Sequence, residues 1–448
     1  MKNKEDIPTE ILEAFNQIKG YSLIVRGAPG SGKTTFALEL LKKYIEGGVY
    51  FTTRSAPKAL YRQYPWLKNI VYKDNILDPI QSYVSKEIDI SEAFEYRYKP
   101  ELMKTIYDSV ANIKNATIVI DNWYAVTEQT EELRKMAEIE LIDAIRGLDA
   151  NLVIVLEQDK QTSLDYPVDA VVVLNKENIE GRCVRELRLN KLRGFEIKQS
   201  VYLFTLFGGR FQSFDTFKYP KIEKYKRFIS VPDSKTHFST GNKDLNEMLE
   251  HGYPRGSYVF IEVGKDVDYA TYFLIPILAV ANFVTLGRGV SIIPVSGKSP
   301  ENIKYEASRY GIENEVNSLI KVSANSLKKD FQNWNEMVLN LKEKTGESVL
   351  RLIGYDTMEA LFGRSALSEI ISLEAQSISD NKDLGIAIGK DSTPETNKIL
   401  ADIAEIHLKI EKRNRVLIIY GKKPETGIYA VTPDISNGYP DIKLTPIV

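Results

Sequence analysis

Residues 22–41 read SLIVRGAPGSGKTTFALELL, and the order of this punctuation decides the fold. SLIV is a short apolar run, glycines crowd the middle, and TTFALELL carries apolar residues at helical spacing. Gly27–Thr34 matches G-x-x-x-x-G-K-[ST] in the strand, loop, helix context that gives the pattern its meaning. The expected phosphate cradle is Gly27, Ala28, Pro29, Gly30, Ser31, Gly32, Lys33, Thr34 and Thr35. Glycines let backbone N–H groups converge on an anion, the helix N-terminus adds a favourable dipole, and Lys33 reaches the β- and γ-phosphate oxygens. Thr34 is the expected Mg²⁺ ligand.

The same order recurs. RGSYVFIEVG (255–264) parallels KGYSLIVRG (19–27), and an apolar helix-like run follows each. ATIVIDNWYAV (116–126) is a buried-strand pattern ending in Asp121, and VLRLIGYDTMEAL (349–361) offers Asp356 in the corresponding place. A repeat this long means duplicated domains rather than a solenoid. With the alternating strand and helix patterns of both halves, it predicts an α/β protein of two tandem domains with largely parallel central sheets. The expected boundaries are 1–216, a linker over 217–234 (FKYPKIEKYKRFISVPDS), and 235–448. The second loop, GKDVDYATY (264–272), is degenerate. An ungapped alignment sets Tyr269 against Gly32, Ala270 against Lys33 and Thr271 against Thr34, removing the flexible glycine and the cation.

The 448 residues, 43% hydrophobic and 27% charged with a formal net charge of -2, describe a globular chain without the basic excess that drives nonspecific nucleic-acid binding. Cys183 stands alone and His237, His251 and His407 are scattered, so no zinc cluster is expected and a reducing, cytoplasmic setting fits. MKNKEDIPTEILEAF has charges where a signal peptide needs an apolar core. The longest apolar run, Tyr272–Leu286, falls short of the ~20 residues of a membrane span and predicts a buried helix.

Asp121, ending its strand as IVID, is the expected second acidic element, holding Mg²⁺ beside Thr34. Hydrolysis also needs a group that orients or deprotonates water. After the strand VYFTT stand Thr53, Arg54 and Ser55, with no carboxylate. Glu157 and Gln158, ending NLVIVLEQ, are the candidates instead, against the simpler reading of a surface turn.

Taken together these residues resemble the KaiC-like branch of the RecA superfamily across nearly the whole chain. DAVVVL followed by GRCVRELRLNKLRG (181–194) is similar to that family's strand, hairpin and K-x-R-G ending. Within the branch, SLIVRGAPGSGKTTFALELL and VYFTTRSAPKALYRQYP (49–65) look most like the gas-vesicle regulator GvpD and its archaeal relatives. The resemblance implies ATP and Mg²⁺ as ligands of the first domain and slow hydrolysis, because the paired glutamates of KaiC are missing after VYFTT. It implies Lys191 and Arg193 acting on a nucleotide held by a neighbouring subunit, in a homo-oligomer for which a hexameric ring is the family expectation. A plain β-hairpin with cross-strand charge pairs is the competing reading of those two residues. The second domain is then expected to serve assembly or partner binding. The alternative is a recombinase-like DNA-binding ATPase whose stretch KYPKIEKYKRF contacts phosphates through Lys224, Lys226 and Arg227, a reading against which a pI near 6.1 argues.

Overall fold

The computed structural model describes residues 6–44, 47–53, 56–69, 76–77, 100–123, 131–158, 160–219, 221–323 and 331–448. It contains two compact units. One is Met1–Phe214 with Ile447–Val448, and the other is Asp215–Pro446.

The first unit is built on one sheet. Its strands are β1 (Ser22–Arg26), β2 (Gly48–Thr52), β3 (Ile76–Leu77), β4 (Thr117–Asp121), β5 (Asn151–Leu156), β6 (Ala170–Ile179), β7 (Arg182–Leu192), β8 (Val201–Thr205) and β9 (Gln212–Ser213). They lie in the order β3-β2-β4-β5-β1-β6-β7-β8-β9. The six from β3 to β6 pair in parallel, and the rest continue as antiparallel hairpins. β1 is buried along its whole length because both faces are covered. Leu23 and Val25 join one apolar cluster with Phe36 of the following helix, while Ile24 joins another with Ile118 and Ile142. Such two-sided burial is why the parallel strands read as continuous apolar runs.

The second unit repeats the plan. After a small hairpin, β10 (His237–Phe238) with β11 (Tyr253–Pro254), come β12 (Tyr258–Val263), β13 (Val290–Ile293), β14 (Ile320–Val322), β15 (Leu350–Gly354), β16 (Leu384–Lys390), β17 (Ile406–Arg413), β18 (Val416–Lys423), β19 (Tyr429–Asp434) and β20 (Asp441–Pro446). Their order is β14-β13-β15-β16-β12-β17-β18-β19-β20, the same permutation as in the first unit. Again the strands are parallel up to β17 and antiparallel beyond. The duplication seen in the sequence is therefore a duplication of topology.

The apolar run 272–286 folds as expected into buried helix, broken in two as Tyr269–Phe273 and Pro276–Thr285, with Pro276 opening the second piece. No helix among the described residues is long and apolar enough to cross a membrane.

The stretch 217–234, expected as a linker, packs within the second unit. The Phe217 N–H donates to the Arg415 carbonyl and the Phe228 N–H to the Tyr310 carbonyl. The Phe228 ring is buried against Tyr310 and Tyr439, and Arg227 is paired with Glu315.

Candidate nucleotide-binding site

The central strand β1, flanked by β5 and β6, delivers the chain to the carboxyl edge of the first sheet. This edge is where open α/β sheets bind ligands. Gly27 turns the chain at φ +153°, and a Cβ there would stand 2.2 Å from the Leu174 carbonyl oxygen, so no other residue fits. Ala28, Pro29 and Gly30 form an exposed crest, and Ser31 dips back into the interior. Gly32, left-handed at φ +103°, caps the helix Lys33–Lys42 and offers its first turn no side-chain acceptor.

Lys33 is 6% exposed, and its ammonium donates to the carbonyls of Gly27 at 2.8 Å and Ala28 at 2.9 Å. It is folded back into the cradle that it is expected to share with phosphate. The Ser31 hydroxyl is buried in the same loop with no hydrogen-bond partner among the described residues. A cation with exchangeable carbonyl contacts, an unsatisfied hydroxyl and an uncapped helix start are the groups that a phosphate chain completes.

β4 ends beside this loop. The Thr34 hydroxyl donates to Oδ2 of Asp121 at 2.6 Å, and the Tyr50 hydroxyl donates to the same oxygen at 2.6 Å. Tyr50 is fully buried. Burial raises its pKa well above the ordinary tyrosine value, and the Asp121 charge pushes in the same direction. β2 is tied to β4 a second time, since the Thr53 hydroxyl donates to the Asn122 carbonyl and accepts from the Asn122 N–H. Thr34 and Asp121 therefore present a hydroxyl and a carboxylate side by side, the hard oxygen donors that magnesium takes. Magnesium bound there would neutralise phosphate charge.

Glu157 follows β5, whose last residues pair with Arg26 of β1 and Asp121 of β4. The expected base thus leaves the sheet between the loop strand and the acidic strand, partly exposed, with Gln158 exposed beside it. Arg54 and Ser55 lie outside the described residues.

Lys191 and Arg193 are not brought to this edge. Lys191 pairs with Val171, next to Ala170, whose partner Leu23 lies near the start of β1, the end opposite the loop. The Lys191 ammonium donates to the carbonyls of Asp165, Tyr166 and Val168 at 2.8, 3.1 and 2.6 Å. Burial, with the Arg193 charge nearby, lowers its pKa. Arg193, more than half exposed, reaches Asp169 at 3.2 Å.

Two residues at the site escaped the sequence reading. Tyr50 lies in the quoted strand VYFTT but carries no motif. Arg185 lies in the quoted hairpin, six residues before Lys191, and its guanidinium donates to the Gly30 carbonyl at 3.0 Å and to the Val448 carbonyl. No spacing in the sequence marks it; it pairs with Lys176, three residues beyond Val173, the partner of Arg26 at the end of β1 that carries the loop.

The second unit corrects the alignment of the loops. Ser22 pairs with the second residue of β5, Leu152, and Tyr258 pairs with the second residue of β16, Gly385. Counted from these equivalent positions, Gly32 falls on Asp268, Lys33 on Tyr269 and Thr34 on Ala270, one step from the ungapped alignment. The helix starts agree, at Lys33 and Tyr269. Asp356 is corrected in the same way. Thr117 pairs with the first residue of β5 and Leu350 with the first of β16, so Gly354, not Asp356, is the counterpart of Asp121. A side chain has no room there, because a Cβ on Gly354 would lie 2.6 Å from the Val295 backbone. Asp356 lies in the first turn of the next helix, where it accepts the Ser296 N–H and pairs with Lys390 at 2.8 Å.

Residues 11–190 match the family model of the GvpD gas vesicle protein, P-loop domain, and residues 225–310 match GvpD basic region 2. The chain is 26% identical over 486 aligned residues to Protein GvpD2 of Halobacterium salinarum, and 24% identical over 523 to Protein GvpD1 of the same organism. Each alignment covers 98% of this chain and 96% of the relative.

Proposed function

The chain is a GvpD-like P-loop protein, and on that premise we propose that it is an ATP-dependent regulatory switch. Its first unit binds Mg-ATP and hydrolyses it slowly, and its second serves assembly or partner recognition. The observation that carries this reading is the meeting of Thr34 and Asp121 at the start of a helix whose cap residue, Gly32, has no side chain.

Each group has a task. Lys33 exchanges the carbonyls of Gly27 and Ala28 for phosphate oxygens, and the Ser31 hydroxyl gains an acceptor. Glu157 orients the attacking water, and with no second carboxylate in Thr53-Arg54-Ser55 turnover is slow. Lys191 and Arg193 act on the nucleotide of a neighbouring copy, a reading supported by their place at the far end of the sheet from their own loop. A head-to-tail contact of this kind closes a ring or propagates a filament, and a hexameric ring in the cytoplasm is the form we propose. The DNA-binding alternative draws less support, because Arg227 is engaged by Glu315.

Thermal unfolding with nucleotide is the direct test. ATP at a hundred times its Kd adds about 2.7 kcal/mol, roughly 5–10 °C for a unit of this size. Lys33→Ala should abolish the shift. A wild-type melt that ignores both ATP and ADP overturns the proposal, and light scattering with Mg-ATP that finds only monomer removes the trans role of Lys191 and Arg193.

A further inference from the structure

We propose that the second unit carries a built-in substitute for the phosphate, with Asp268 as the anion and Lys412 as its cation, so that its loop is closed to nucleotide and holds its conformation without any. This goes beyond the switch proposed above and concerns the other unit.

The register makes Asp268 the counterpart of Gly32. Where the first unit leaves its helix start without a side-chain acceptor, the second places a carboxylate there. Oδ1 of Asp268 accepts the Thr271 N–H at 3.1 Å, and Oδ2 accepts the Thr271 hydroxyl at 2.7 Å. Thr271 is the counterpart of Thr35 in the phosphate cradle. The ammonium of Lys412, from β17, donates to the same Oδ2 at 2.9 Å. An anion at a helix start, met by backbone, hydroxyl and ammonium donors, reproduces the donor chemistry of a phosphate site with parts of the chain itself. Burial raises the Asp268 pKa, but the Thr271 and Lys412 hydrogen bonds outweigh it and hold the group below its ordinary value, so it stays charged.

The rest of the cradle is filled as well. Tyr269, at the position of Lys33, stacks on Phe273 at 4.8 Å, and the ammonium of Lys298 sits 4.4 Å from the centre of its ring. Glu262, at the position of Arg26, binds Lys409 and Lys422. Asp356 binds Lys390. Lys409, Lys422 and Lys390 are thus matched by internal carboxylates.

Hydrogen exchange in the full-length chain, read by mass spectrometry over residues 264–275, tests this locally. In the wild type, protection there is expected to be the same with and without Mg-ATP or inorganic phosphate. Asp268→Gly should exchange several-fold faster and recover when millimolar phosphate is added, but not with chloride at equal ionic strength. If that variant fails to fold, Asp268→Ser keeps a cap acceptor while losing the charge, and phosphate should raise its protection too. Nucleotide-dependent protection in the wild type, or loss in the variants without rescue by phosphate, overturns the proposal. Protection over residues 27–35 with Mg-ATP reads the first unit in the same experiment, so failure of one reading is distinct from failure of the other.

Discussion

The hydroxyls of Thr34 and Tyr50 converge on one carboxylate oxygen, Oδ2 of Asp121, each at 2.6 Å. Thr34 belongs to the first turn of the helix after the loop and Tyr50 to the core, so Asp121 is held from both sides.

Tyr50→Phe should therefore cost stability without removing the site. Loss of one buried hydrogen bond to a carboxylate is worth about 1.5–3 kcal/mol, seen as a lower midpoint in urea. Nucleotide affinity should stay within several-fold of the wild type. Asp121→Asn should do the reverse, keeping most of the stability while reducing ATP binding in magnesium toward the level found in EDTA, as titration calorimetry would record.

Gly27→Ala places a methyl against the Leu174 carbonyl, 2.2 Å away. Backbone must move to admit it, and destabilisation of at least ~1–3 kcal/mol follows. Because that movement deforms the cradle, nucleotide-induced stabilisation should vanish together with the lost stability. A variant that melts normally and still binds ATP would contradict this account of the loop.

Arg351 lies in the second unit with 2% of its side chain exposed, bridging Glu374 at 3.1 Å and Asp383 at 2.7 Å. Arg351→Ala strands two buried carboxylates, and removing one partner of a buried pair costs about 3–5 kcal/mol. Chemical denaturation should show this as loss of the second unit. Arg351→Lys recovers little, because a single ammonium cannot replace the two-armed contact.

Two carboxylates give opposite pH slopes. Glu262 has its pKa lowered to about 2, because hydrogen bonds from His407 and Lys422 and the charges of Lys409 and Lys422 outweigh its burial. Its contribution is complete above the ordinary glutamate pKa and is lost as pH falls from there toward 2. Burial raises Asp441 to about 6, with Asp434 and Asp244 adding repulsion. The folded state then holds a proton that the unfolded chain has released, so stability falls as pH rises from the ordinary aspartate value through 6. Glu262→Gln should flatten the acid limb of a stability profile and Asp441→Asn the limb near pH 5. Unchanged limbs would refute the assignments.

What the sequence disclosed depended on whether the chemistry is local. Gly27–Thr34, Asp121 and the duplication were all legible, because a phosphate loop and a buried parallel strand each write a contiguous pattern. The partners that cross the sheet were not. Tyr50 reaches Asp121 through strand order, and Arg185 reaches Gly30 through the register of a hairpin, and neither pairing leaves a spacing to count. The second loop failed differently. Matching glycine to glycine hid the fact that hydrogen bonding across β12 and β16 sets the frame, and one step of error concealed a carboxylate at the helix start. The stretch 217–234 looked like a linker by composition, yet its Phe228 finds a core in Tyr310 and Tyr439.

The shared strand order has a practical side. Two sheets of one topology, one opening on Gly32 and the other on Asp268, give every experiment on the first loop a reference covalently attached at equal concentration. A change that chloride alone produces in both loops reports the solution conditions; one that Mg-ATP produces only in the first reports the ligand.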